Sequence, residues 1–246
     1  MPKTNTDFNV LSSQNILLQG PPGCGKTTLA LQFPRPYLID IDDNLAGAIQ
    51  GINQRGIKFL WDTPLEDASG NRFDPLKDCM KIIDRFHALL NEAFTSDDVD
   101  TVIIDSATAV SNLFQDVIKK TNNIERTKAM EIQHWQPYIK RWLDLVTLAK
   151  AKPKRFILIG HEQRTKDDLD GGMKRMLNLP SQAAATIPGM FPDVWELYVK
   201  TQGKNHNYMI RVKQDNLVSG IKASNPSTPA TFEATWENVA ESLNIK

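Results

Sequence analysis

The chain has 246 residues, with Lys+Arg and Asp+Glu both at 29 and a formal net charge of +0. That balance supplies no global positive field, so any nucleic-acid contact must rest on a local patch. Two cysteines, Cys24 and Cys79, are too few for a disulfide framework, which makes a reducing, cytoplasmic setting the expectation.

Residues 1–13 read as an N-terminal arm with no apolar core of signal-peptide length, and no later run is long enough to cross a bilayer. Short apolar runs then alternate with helical patterns, the signature of a mainly parallel sheet covered by helices. The first run, Asn15–Gln19, meets GPPGCGKT, residues Gly20 to Thr27, and then an apolar helix over Lys26–Phe33. The spacing G-x-x-x-x-G-K-T between a strand and a helix is that of a phosphate-binding loop. A triphosphate needs backbone N–H groups close at hand, and Gly20, Gly23 and Gly25 permit that approach. The segment Gly20, Pro21, Pro22, Gly23, Cys24, Gly25, Lys26, Thr27 and Thr28 is therefore the expected nucleotide cradle. Lys26 would serve the β- and γ-phosphates and the Thr27 hydroxyl Mg²⁺. A glycine-rich turn that binds nothing would account for the glycines but not for Lys26-Thr27.

The second strand, Tyr37–Ile41, runs into Asp40, Asp42 and Asp43. A carboxylate at a strand end beside the loop can orient a water for attack on a γ-phosphate; alternation puts Asp40 and Asp42 on one side of the chain and Ile41 on the other, and Asp42 is the candidate. Asp43 and Asn44 are also good helix caps. A strand over Lys58–Trp61, a loop over Pro64–Asp74 and a helix over Pro75–Phe94 follow. The next strand, Thr101–Ile104, ends in Asp105, placed to support Mg²⁺ or, alternatively, to cap the following helix over Thr108–Lys120. After a helix over Ile132–Lys150, in which His134 and Trp135 read as packing residues, the strand Arg155–Ile159 ends in GHEQ. There His161 could sense a γ-phosphate and report its loss to the chain that follows.

That chain, Arg164–Pro192, has three glycines, three prolines and no sustained periodicity, and reads as an irregular, functional loop. Its Arg164, Lys166, Lys174 and Arg175 are candidates for a DNA backbone, although Asp167, Asp168 and Asp170 offset much of that charge. Strands follow over Val194–Lys200 and Tyr208–Lys213, the stretch MIRVKQDNLVSGIKASNP, residues 209–226, reads as a hairpin-like end, and residues 225–246 form a tail with a short helix.

GPPGCGKTTLALQ, LIDIDD, VIIDSAT and ILIGHEQ fall in the order of the RecA/Rad51 core, and over Asn15–Lys222 the chain resembles that family. It is most similar to the short, single-domain RecA-like ATPases of bacteriophages associated with recombination and single-strand annealing. The resemblance implies one RecA-like α/β domain over residues 1–246, with a mainly parallel sheet and a C-terminal antiparallel hairpin. It implies ATP and Mg²⁺ as ligands, Lys26, Asp42 and His161 as catalytic residues, and Thr27 and Asp105 at the metal. It further implies DNA-stimulated hydrolysis, with single-stranded DNA, other copies of the chain and a phage annealing or single-strand-binding protein as candidate partners. Lys213 and Lys222 would act in trans on a neighbour's nucleotide. Asp42 stands where the family has a glutamate, one methylene longer. Two other readings share the loop, a nucleotide-gated interaction module with little turnover and a nucleoside monophosphate kinase.

Overall fold

The computed structural model describes residues 14–166, 173–203, 205–214 and 220–245, without the side chains of Met173, Lys174 and Ser181. The expected N-terminal arm, residues 1–13, lies outside the described residues. In chain order the strands are β1 (Asn15–Gly20), β2 (Pro36–Asp40), β3 (Leu60–Asp62), β4 (Thr101–Asp105), β5 (Arg155–Lys166), β6 (Met173–Leu177), β7 (Asp193–Gln202), β8 (Asn205–Arg211) and β9 (Thr231–Glu233). The helices are α1 (Lys26–Ala30), α2 (Leu45–Gln54), α3 (Cys79–Thr95), α4 (Ala107–Thr121), α5 (Ile132–Lys150), α6 (Ser181–Thr186) and α7 (Trp236–Leu243), with a 3-10 turn over Ile187–Met190.

The sheet runs β3-β2-β4-β5-β1-β7-β8-β9. Pairing is parallel from β3 through β7 and antiparallel at β7–β8–β9. This is the RecA-like α/β fold with a C-terminal antiparallel hairpin that the sequence led us to expect. Strand alternation feeds two cores. Leu17, Val102, Ile104, Phe156 and Leu158 face α3, α4 and α5, whereas Ile16, Leu18, Ile103, Ile157 and Ile159 face α1, α2 and α7. The helices match this with one apolar stripe each. On α3 the buried set is Cys79, Ile82, Ile83, Phe86, Leu89, Leu90, Ala93 and Phe94, the three- and four-residue spacing of one helix face. On α5, His134 is spent on the helix start, where its Nδ1 accepts from the Glu131 N–H at 3.2 Å. Trp135 packs edge-on to Tyr138.

One expectation is corrected and one helix is new. The segment Arg164–Pro192 is not an irregular loop. β5 continues through Lys166 and pairs with antiparallel β6, Arg164 opposite Arg175, and β6 leads into α6 and the 3-10 turn. Leu177 anchors this arm by seating on Gly160, where an added Cβ would come within 2.2 Å of the Leu177 Cδ1. The new helix is α2, which the glycines in LAGAIQGINQ conceal. It is held by buried Leu45 and Ile52 and by Asp40, whose carboxylate accepts from the N–H of Leu45 at 3.1 Å and of Asn44 at 3.4 Å.

Candidate nucleotide site

Register brings the site together at the carboxyl edge of the sheet. Gly20 lies beside His161 and Asp40 beside Asp105, so the loop, both acidic strand ends and the His161 strand meet at one crevice. The resulting cleft of about 800 Å³ is lined by residues 22–29 of the loop and α1, with Asp42, Asp105 and His161.

Backbone packing dictates the loop. At Gly20 a Cβ would lie 2.2 Å from the Leu197 carbonyl oxygen, so only glycine lets β1 turn against β7 there. Gly25, at φ 87°, takes the left-handed step that opens α1. Lys26 is buried, and its Nζ donates to the carbonyls of Gly20 at 2.9 Å and Pro21 at 2.8 Å. Its ammonium is therefore held over the loop, with the first N–H groups of α1 beside it. Cys24 is buried, and burial, partly offset by the Lys26 charge, raises its thiol pKa, which makes it a packing residue rather than a nucleophile.

Thr27 Oγ1 donates to Asp105 Oδ2 at 2.6 Å. Burial raises the Asp105 carboxyl to about 6, against the pull of the Thr27 hydrogen bond and with a smaller push from Asp42 and Asp40. A hydroxyl and a desolvated carboxylate in contact, next to the loop lysine, form the oxygen donor set that Mg²⁺ takes up together with phosphate oxygens. The residues therefore fit a magnesium nucleotide.

The three second-strand carboxylates separate. The N–H groups of Ile41 and Asp42 both donate to the Asp105 carbonyl, at 2.8 and 3.1 Å, which aims Asp42 into the cleft. There its Oδ2 lies 3.2 Å from His161 Nε2. Burial pushes the Asp42 carboxyl up, but hydrogen bonds from His161 and Ser106 with the His161 charge outweigh it, and the net shift is downward. Asp42 is thus held as a carboxylate. Asp43, at a left-handed φ of 57°, swings outward to an exposed pair with Arg72 at 2.6 Å, and Asp40 serves α2.

The DNA-binding candidates divide as well. Arg164 and Lys166 are exposed on the arm. Arg175 turns inward, its Nη1 2.9 Å from Glu196 Oε1. The side chain of Lys174 lies outside the described residues. Lys222 is bridged through its backbone to Val194, with Nζ 3.5 Å from the Gly189 carbonyl, and Lys213 is exposed. Neither lysine lines the cleft of its own chain, so neither completes this site in cis.

Sequence reasoning missed one wall of the cleft. Because β7 and β8 run on past the loop, Tyr208 reaches the site, its ring in contact distance of Gly25, where an added Cβ would be 3.4 Å away. Trp236 and Glu237 at the start of α7 and Arg55 at the end of α2 join it. Only long-range pairing brings these residues to the loop.

Among solved structures, a KaiC-like protein from Pyrococcus horikoshii is similar at 12% identity and TM-score 0.44, covering 83% of this chain and 80% of that one. The flagellar accessory protein FlaH from Methanocaldococcus jannaschii is similar at 11% identity and TM-score 0.42, covering 95% and 91%. No curated protein matches the chain. Among the described residues no helix is long and apolar enough to cross a membrane. The family described as AAA domain matches residues 12–221, most of the chain and the whole of the loop, Asp42, Asp105 and His161 set. The chain accordingly belongs to this AAA-domain family of P-loop nucleotide-binding ATPases.

Proposed function

We propose that the protein hydrolyses ATP at this cleft and couples turnover to single-stranded DNA held by the β5–β6 arm, as a recombination ATPase of the phage annealing type. One observation carries the reading. His161, which touches Asp42 inside the cleft, is also the root of the arm. Its strand runs on to Arg164 and Lys166, and its carbonyl accepts from the N–H of Asn178 at 2.8 Å, where the arm returns. A displacement of His161 thus moves both ends of the arm.

The roles follow from placement. Lys26 and the loop N–H groups hold phosphate, and Asp42, ionised and oriented by His161, accepts a proton from the attacking water. Mg²⁺ bound at Thr27 and Asp105 would neutralise charge developing on the phosphate oxygens. Asp42 is shorter than glutamate, and the interaction module with little turnover is the outcome if the carboxylate stops short of the water.

Among the described residues, Arg164 and Lys166 are the arm cations that face solvent. Replacing both with alanine is expected to weaken oligo-dT binding and to flatten its salt dependence by about 1.4 in the log–log slope, about 0.7 for each phosphate neutralised by the wild-type pair. An unchanged slope across a salt series would place the strand elsewhere.

Self-assembly supplies the charges this cleft lacks in cis. With Lys213 and Lys222 acting across an interface, turnover per subunit should rise with protein concentration. Mixing Lys26→Ala subunits with Lys213→Ala/Lys222→Ala subunits should then restore part of the activity, because intact half-sites can meet. A mixture no more active than its two components rules the trans arrangement out.

A further inference from the structure

Glu196 is a charged residue with no part in the nucleotide chemistry, yet it is fully buried in the sheet, level with Gln19. It lies between two guanidiniums, Arg175 Nη1 at 2.9 Å from Oε1 and Arg211 Nη1 at 3.5 Å from Oε2. The two differ in origin. Arg211 belongs to β8 of the sheet and also covers the Tyr198 ring, 5.0 Å from its centroid. Arg175 belongs to the arm, which rests on the sheet through this contact and through Leu177 on Gly160.

At the root of the arm the polar packing is incomplete. Glu162 Oε2, at the first pair of the arm's own ladder, and Gln19 Oε1, on β1 beside Gly160, are buried without a hydrogen-bond partner among the described residues. Within the arm, Arg164 and Arg175 are directly opposite on antiparallel strands. Their side chains therefore leave the ribbon on the same side, an arrangement of like charges that is unfavourable unless an anion sits nearby. Glu196 is that anion when the arm is docked. A phosphodiester is the anion whose geometry suits a pair of guanidiniums.

We propose that Glu196 is an internal stand-in for phosphate, latching Arg175 and keeping the arm docked until a single-stranded nucleic-acid backbone takes its place. The proposal rests on the reading of the arm as the nucleic-acid contact and adds how that contact is restrained. Exchange of Arg175 from Glu196 to a phosphodiester completes the two-arginine face with Arg164. It also frees the strand position next to Leu197, whose carbonyl packs on Gly20, so the exchange is felt at the nucleotide loop.

The test uses the full chain, with trypsin cleavage after Lys166 as a readout of arm docking and fluorescence anisotropy of labelled oligo-dT as a readout of binding. Glu196→Gln keeps the shape and removes the charge. Cleavage should speed up and the oligo-dT Kd fall, each by about tenfold, the scale of losing one well-made charged contact. Both gains should vanish when the same change is made in an Arg175→Gln background, because the latch acts only through that arginine. If Glu196→Gln does not fold, Glu196→Asp, which draws the carboxylate back by one methylene, should move both readouts the same way. Unchanged cleavage in a folded variant, or equal gains in the Arg175→Gln background, would overturn the latch. Faster cleavage with no oligo-dT binding by either protein would keep the latch and refute the nucleic-acid reading of the arm.

Discussion

Asp105→Asn is expected to make the metal-free protein more stable at neutral pH while removing most of its magnesium-dependent turnover. Burial raises the Asp105 carboxyl from the ordinary 3.8 to about 6, so the folded state binds this proton more tightly than the unfolded chain does. The stabilising contribution is therefore complete below pH 3.8 and is lost as pH rises through about 6. At pH 7 and above the native state carries a desolvated carboxylate at a cost of about 2–3 kcal/mol. Asparagine avoids that charge and can still accept the Thr27 hydroxyl. Urea unfolding with a chelator present should show the variant ahead of the wild type by about 2 kcal/mol near pH 7.5, with the gap closing towards pH 4.5. The neutral amide cannot support a divalent cation as the carboxylate does, so turnover should fall by about a hundredfold or more. A variant less stable than the wild type at neutral pH, or one with normal turnover at low Mg²⁺, would show that Asp105 is structural.

Asp42→Asn should leave nucleotide affinity within about threefold and slow hydrolysis by about 10²–10⁴-fold, the range of a positioned general base. The amide keeps the size of Asp42 and can still meet His161, but it cannot take a proton from water. Asp43→Asn is the internal control, since its carboxylate points to Arg72 at the exposed surface and exposed pairs contribute little, about 0–1 kcal/mol. Turnover measured on both variants separates the two positions. If Asp43→Asn proves the damaging change, the turn at the end of β2 holds a different carboxylate towards substrate when nucleotide is bound.

The parts of the fold that were legible in sequence are those whose signals are local. β1, the loop and α1 are contiguous, and each carries its own chemistry, from the apolar run to the glycines to Lys26-Thr27. The amphipathic stripes of α3, α4 and α5 sit where the sequence placed them, within a few residues at each end. What was hidden depends on distant partners. The helix α2 contains Gly47 and Gly51, poor helix formers, and is secured by Asp40 from the preceding strand. The arm has a polar, charged sequence with weak strand propensity, and its docking rests on Gly160 and Glu196, the latter twenty-one residues beyond Arg175. Alternation sets Asp40 and Asp42 apart from Asp43 but not from each other, and the orientation of Asp42 comes from the Asp105 carbonyl and His161, which lie in other strands. Tyr208, Trp236 and Arg55 had no local signal at all. They line the cleft because β7 and β8 overrun the loop and α7 folds back beside it.

His161 joins the ATP site to the arm, and steady-state ATP turnover with and without single-stranded DNA tests that junction most directly. We expect Mg²⁺-dependent hydrolysis that rises on adding oligo-dT, loses the stimulation in Arg164→Ala/Lys166→Ala, and is abolished with or without DNA in Lys26→Ala. Hydrolysis that proceeds at the same rate with and without oligo-dT, in wild type and arm variant alike, would contradict the coupling.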